Sequence, residues 1–234
     1  MDAGYQTAAR EAEDAFVERR SRFIGAICPV QTEEDALAFV AKRKKAHWDA
    51  THHVYAYVLR QGGIRRYSDD GEPQGTAGMP VLDVLLKEAL SDCVVVVTRY
   101  FGGILLGGGG LVRAYSHGAS LAVAAGGLQV MRLCDIVRLS CSYGQYGWVA
   151  PLIAEQGGVL DDTIFTDTVE LAFHLPLEQT EPLQAALTEK SAGALSLAVE
   201  ERRYFSFESK KTGILRTSRN ERPICRITCI EAPL

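Results

Sequence analysis

Four consecutive valines, Val94-Val95-Val96-Val97, followed by Thr98, leave the chain few options. β-Branched side chains suit a pleated backbone, and successive residues of a strand point to opposite faces. A run that is apolar at both parities has no wet face, so residues 94–98 read as a central strand covered on both sides. Such a strand needs a sizeable core around it. With 234 residues and 47% hydrophobic content, the chain can supply that core in one or two domains, which excludes disorder for most of its length.

No apolar run approaches the roughly 18 residues of a membrane helix, and Met1-Asp2-Ala3-Gly4-Tyr5-Gln6 has neither a basic nor an apolar leader region. The expected location is the cytoplasm, with no membrane partner. Six cysteines, Cys28, Cys93, Cys134, Cys141, Cys225 and Cys229, form no C-x-x-C pair and read as buried thiols of a reducing compartment. Charge divides the chain: residues 1–133 are balanced, 134–200 carry a net −8, and 201–234 carry +4. That asymmetry points to separately packed units, and the net −4 is unlike a generic nucleic-acid binder.

Around the valine strand, residues 14–18 and 23–30 have short β-like runs separated by Arg19-Arg20-Ser21-Arg22, which reads as a hairpin. Thr32-Glu33-Glu34-Asp35 is a helix-capping signature, and the helix it opens should run to about Ala46. Residues 53–59 and 64–68 read as strands joined by Gln61-Gly62-Gly63. Pro80 opens a helix with Val81, Leu82, Leu85, Leu86 and Ala89 on one apolar face, ended by Asp92, and 111–125 form a helix stopped by Gly126-Gly127. The order is ββαββαβα. Further on come a strand at 136–141 and a helix at 146–156 that Pro151 should kink unless it lies in the first turn. Strands at 159–165 and 168–175, a helix at 181–190 capped by Thr180, and a strand at 195–199 follow. This βαββαβ order is that of a ferredoxin-like domain. The fold class is therefore α+β, with domains at 1–133 and 134–200. A basic extension at 201–234 carries Arg202, Arg203, Lys210, Lys211, Arg216, Arg219 and Arg222, and reads as an RNA-contacting arm or a solvated tail.

Two stretches between these elements concentrate the chemistry: 69–80, Asp-Asp-Gly-Glu-Pro-Gln-Gly-Thr-Ala-Gly-Met-Pro, and 99–115, which opens Arg99-Tyr100-Phe101-Gly102-Gly103. Asp69, Asp70 and Glu72 place three carboxylates within four positions. They suit either a hard cation with acid–base chemistry or a tight turn with Asp capping. The glycines at 102, 103 and 107–110 allow backbone N–H groups to approach an anion, or simply permit tight packing. Arg99 and Arg113 flank them. Neither a Walker A loop nor a G-x-G-x-x-G fingerprint is present, since Val112 stands where the last glycine would. The candidate binding residues are Asp69, Asp70, Glu72, Gly75, Thr76, Arg99, Tyr100, Gly102, Gly103, Gly109, Gly110 and Arg113, drawn together where the two stretches meet. His52 and His53 are adjacent on a strand and point to opposite faces. Ser116 and His117 are helix neighbours that do not face each other, and Cys93 sits against the valine strand where burial blunts a thiol. No catalytic residue and no cofactor emerge.

Through Ser21-Arg22-Phe23-Ile24, His52-His53, and the 69–78 and 99–115 blocks, the chain resembles the YigZ/IMPACT family over about its first 130 residues, and more weakly over 146–199. The resemblance implies an N-terminal domain folded like the second domain of a small-subunit ribosomal protein and domain IV of elongation factor G. It implies a ferredoxin-like C-terminal domain similar to that factor's last domain. Eukaryotic members regulate translation by competing for an activator of the kinase that phosphorylates an initiation factor. The implied partners are RNA, the ribosome or a translation-control protein, although the link from fold to partner is analogy. The competing readings are a metal-dependent, peptidase-like hydrolase using Asp69, Asp70 and Glu72, and a sensor of phosphate or another small molecule on the glycine loop.

Overall fold

The computed structural model describes residues 4–207, which form two compact units, one spanning Tyr5–Val130 and the other comprising Gly4 and residues 131–207. The first contains β1 (Gly4–Ala8), β2 (Ala12–Glu18), β3 (Ser21–Pro29), α1 (Glu33–Ala46), β4 (His52–Leu59), β5 (Ile64–Ser68), α2 (Gly78–Lys87), β6 (Cys93–Tyr100) and α3 (Gly108–Gly126). After β1 this is the expected ββαββαβα order. The sheet runs β2-β3-β6-β4-β5, with every neighbouring pair antiparallel and the valine strand β6 at its centre.

Both parities of β6 are buried for the reason its composition implies. Val94 and Val96 pack with Ala36, Phe39 and Val40 of α1, whereas Val95 and Val97 pack with Leu82 and Leu85 of α2 and Tyr115 and Ala119 of α3. Each fully buried valine contributes about 1.5–3 kcal/mol, so the strand anchors both layers. Cys93 lies in the same core, where burial pushes its thiol pKa up to about 12. Helix α1 starts where its capping box dictates: the Asp35 N–H donates to Thr32 Oγ1 at 3.1 Å and the Thr32 N–H to Asp35 Oδ2 at 3.3 Å. Its acidic first turn and its last-turn Arg43, Lys44 and Lys45 complement the helix dipole.

Several features differ from expectation in this unit. Helix α2 begins at Gly78, ahead of Pro80, and ends at Lys87, well before Asp92; Leu86 is exposed, and Ala89, at φ +52°, lies beyond the helix and is exposed too, so neither belongs to its apolar face. The β2–β3 turn is only Arg19-Arg20, because Glu18 already pairs with Ser21. Helix α3 begins within the glycines, since burial of Leu111, Ala114 and Tyr115 stabilises a first turn that glycine propensity disfavours. Strand β1, a short segment without clear alternation, is additional; it bridges Leu90 through Gln6, and Thr7 Oγ1 donates to the Asp92 carbonyl at 3.0 Å.

Strand β7 (Leu128–Cys141) starts earlier than the pattern at 136–141 indicates, and leads into α4 (Tyr143–Glu155), β8 (Val159–Phe165), β9 (Val169–Pro176), α5 (Thr180–Ser191) and β10 (Ala198–Phe207). Four strands in the order β10-β7-β9-β8 have the arrangement of a ferredoxin-like sheet, and β1 also pairs with β7 as its fifth strand. Val137, Leu139, Leu171 and Phe173 on its inner face pack with Val149 and Ile153 of α4 and Leu183 and Leu187 of α5. Pro151 sits inside α4, not in its first turn, and Thr180 is the first residue of α5, where its Oγ1 donates to Asp135. The last strand starts later than the 195–199 expected for it, at Ala198, and extends well past it. It takes in Arg202 and Arg203, which pair with Asp135 and Glu201. Lys210, Lys211, Arg216, Arg219, Arg222, Cys225 and Cys229 lie outside the described residues.

Candidate functional site

The three carboxylates of the acidic turn point three different ways. Asp69 accepts the N–H groups of Gly75 (2.9 Å), Ala77 (3.1 Å) and Gly78 (2.7 Å), closing the loop and capping α2, whose own N-cap Ala77 has no side-chain oxygen to offer. Asp70, held at φ +45°, accepts the His53 N–H at 2.6 Å and Lys44 Nζ at 2.8 Å, while its carbonyl accepts His52 Nδ1–H at 2.8 Å. Thr76 Oγ1 donates back to the Pro73 carbonyl at 2.6 Å, and Gly75 takes φ +76°. Among the described residues no group of three or more His, Cys, Asp and Glu is gathered to hold a metal ion, and Asp69 and Asp70 bond to different parts of the fold.

Glu72 turns inward instead. Its side chain is 5% exposed and accepts Arg99 Nη1–H at 2.6 Å and the Tyr115 hydroxyl at 2.7 Å, with His52 Nε2 at 3.8 Å. Burial, and then the bond to Glu72, push the Tyr115 phenol far above its ordinary range. Arg99, 4% exposed, also donates to Ser21 Oγ at 3.3 Å and lies 5.4 Å from the ring centroids of both Phe23 and Phe101. Arg99 is thus not a surface fork beside the glycines, as its flanking position implies; its charge is neutralised within the fold. Ser21 Oγ closes the network by accepting the Gly102 N–H at 3.2 Å. Ser21, His52 and Tyr115 fall inside the motif blocks, but nothing in their spacing reveals that they converge on one ion pair.

Tyr100 belongs to a second chain of hydrogen bonds. A guanidinium only donates, so the 2.9 Å contact of Arg43 Nη2 makes His47 Nε2 the acceptor and leaves Nδ1–H to donate to Tyr100 Oη at 3.0 Å; Tyr100 in turn donates to Asp49 at 3.1 Å. Burial and the Arg43 charge lower the His47 pKa, and burial lowers that of His53.

Of the rest of the 99–115 block, Leu111 and Ala114 are buried in the core, while most of the loop between Phe101 and Gly110 is exposed. Gly103 and Gly107 have φ +81° and +72°, a region that favours glycine. Gly102 is required sterically, because a Cβ there would lie 2.1 Å from the Arg20 carbonyl carbon. Gly109 and Gly110 form the first turn of α3, and a Cβ on Gly108 would lie 3.9 Å from Thr76 Cγ2, so the two loops approach each other there. Leu105 is 80% exposed and Phe101 45%, with Ile104 beside them. Arg113 is exposed on the next turn of α3. The block therefore separates into a buried ionic core and an exposed apolar and cationic surface.

Residues 19–123 match the Impact N-terminal domain family and 139–194 match the domain of unknown function DUF1949. The chain is 38% identical over 190 residues to the IMPACT family member YvyE of Bacillus subtilis (strain 168), covering 81% of this chain and 88% of that protein. It is 36% identical over 187 residues to the IMPACT family member YigZ of Escherichia coli (strain K12), covering 78% and 92%. The mouse (Mus musculus) Protein IMPACT is 35% identical over 98 residues, covering 39% and 30%. A solved structure titled as that of a hypothetical protein superposes with a TM-score of 0.56 at 32% identity, covering 86% of this chain and 99% of the other.

Proposed function

The chain belongs to the IMPACT family, and on that basis we propose that it is a translation-linked binding protein that contacts RNA, as on the ribosome, through the outward face of residues 99–115. The observation that carries this reading is the division within the site. Asp69, Asp70, Glu72 and Arg99 are spent on internal bonds, whereas Arg113 and the apolar tip at Phe101, Ile104 and Leu105 face outward. Phosphate contacts from arginine supply affinity, and apolar or aromatic side chains can pack on exposed bases. The translation link comes from the family's eukaryotic members.

The test is co-sedimentation of the purified protein with ribosomes. Arg113→Glu removes no core side chain and reverses a charge, so binding should weaken on the order of tenfold, with the largest loss at low salt. A folded Arg113→Glu variant that co-sediments as tightly as wild type would sink the proposal. Loss of binding to a co-purifying protein alone, with ribosome binding intact, would replace RNA by a protein partner.

A further inference from the structure

A cleft of about 260 Å³ opens between the β2–β3 hairpin and the first turns of α3, lined in part by Phe16, Glu18, Arg19, Gly110, Arg113 and His117. The His117 ring meets Phe16 edge-on with centroids 4.6 Å apart, giving the cleft an aromatic wall. Arg19 and Arg113 bring two exposed guanidinium groups to it. Among the described residues neither takes part in an ion pair, and the same holds for Arg20 and Arg22 beside the turn. With two guanidinium groups against the one carboxylate of Glu18, the cleft keeps a net positive charge that an anion would offset.

The turn carrying Arg19 is built against local preference. Arg19 and Arg20 are the two loop residues of a tight hairpin and have φ +44° and +66°. Such turns favour Asn-Gly, because a β-carbon is strained in the left-handed region. On the other side, the missing side chain of Gly102 lets that loop close onto the Arg20 backbone. Arginine here weakens the fold while being presented from a fixed backbone, which is the arrangement expected when a side chain is retained for binding.

We infer that this cleft binds the terminal phosphate of a ribonucleotide or RNA chain, with Arg19 and Arg113 donating to phosphate oxygens and Glu18 accepting from a ribose hydroxyl. A phosphomonoester carries about −1.5 to −2 charge near neutrality, which matches two guanidinium groups better than a single internal phosphodiester does. The inference rests on the RNA reading of this face and adds to it a ligand group and a residue, Arg19, outside the 69–80 and 99–115 blocks.

Arg19→Gly provides the test, because glycine relaxes the positive-φ turn as it removes the guanidinium. Its Tm should rise by about 2–4 °C. Fluorescence anisotropy would compare a labelled tetraribonucleotide bearing a 5′-phosphate with its 5′-hydroxyl counterpart. Wild type should prefer the phosphorylated form about tenfold, and Arg19→Gly should lose that preference while melting higher, which excludes misfolding as the cause. Competition by AMP at similar concentration would assign a free nucleotide as the source of the phosphate; its failure to compete would assign an RNA end. A preference that survives in Arg19→Gly, or equal binding of the two oligonucleotides by wild type, overturns the inference. In that case ribosome binding sensitive to Arg113→Glu would leave the RNA reading standing, whereas binding of neither ribosomes nor oligonucleotides would bring down both.

Discussion

Glu72 accepts from both Arg99 and Tyr115, and these two bonds differ in what their loss leaves behind. Glu72→Gln strands the buried Arg99 charge and should cost about 3–5 kcal/mol. Tyr115→Phe removes one donor from a carboxylate that keeps its arginine, and should cost about 1.5 kcal/mol. Urea unfolding measures both; equal losses would show that Arg99 finds another counter-charge. The histidines add a pH dependence. His47 and His53 have pKa values below the ordinary imidazole value of about 6.5, so in the window beneath that value the unfolded chain binds more protons than the folded one. Their contribution is therefore complete above about pH 6.5 and is lost as pH falls through and below it. The urea midpoint should drop between about pH 7.5 and 5.5, and His47→Gln with His53→Gln should flatten that drop. At this scale the sequence marks which residues carry chemistry but not their partners. Asp69 and Glu72 stand in one acidic turn, yet one caps a helix and the other neutralises Arg99, because β6 and α3 deliver Arg99 and Tyr115 from 27 and 43 residues away.

Elements are legible where a side-chain period or a backbone signal is strong. The doubled apolar parity of residues 94–97 identifies β6 as central, and Thr32 with Asp35 fixes the start of α1. Strand β1 carries no such signal, and the glycine-rich start of α3 signals a loop until the packing of Leu111, Ala114 and Tyr115 overrides it. Packing of α3 on β3 also depends on glycines in a way that spacing does not reveal. A Cβ on Gly25 would lie 2.0 Å from the Gly118 carbonyl oxygen, so helix and strand backbones would have to separate. A Cβ on Gly118 would instead meet a Val97 methyl at 3.0 Å, which a small side-chain shift can relieve. Gly25→Ala should therefore destabilise by about 3 kcal/mol or more. Gly118→Ala should be nearly neutral, since about 1 kcal/mol of helix propensity offsets its strain. Thermal melting of the pair decides; similar Tm values would mean that α3 slides freely on the sheet.

Across the whole molecule, each core is drawn from one stretch of chain. The two clusters flanking β6 use residues between Ala8 and Leu128, and the cluster of the second unit uses residues between Val137 and Leu197. Among the described residues no buried cluster combines the two, so residues 1–133 should fold as an isolated fragment although the cut falls within β7. Every residue of the phosphate cleft lies in that fragment. Removing residues 134–234 also takes away a net −4 of charge, which lowers the general repulsion of an RNA chain. The fragment should melt in one cooperative transition and bind the 5′-phosphorylated tetraribonucleotide at least as tightly as the full chain, with any gain largest at low salt. A fragment without a cooperative transition would show that the two units share one core. A folded fragment that binds the oligonucleotide several-fold more weakly would place part of the binding energy beyond residue 133, and the cleft alone would no longer account for recognition.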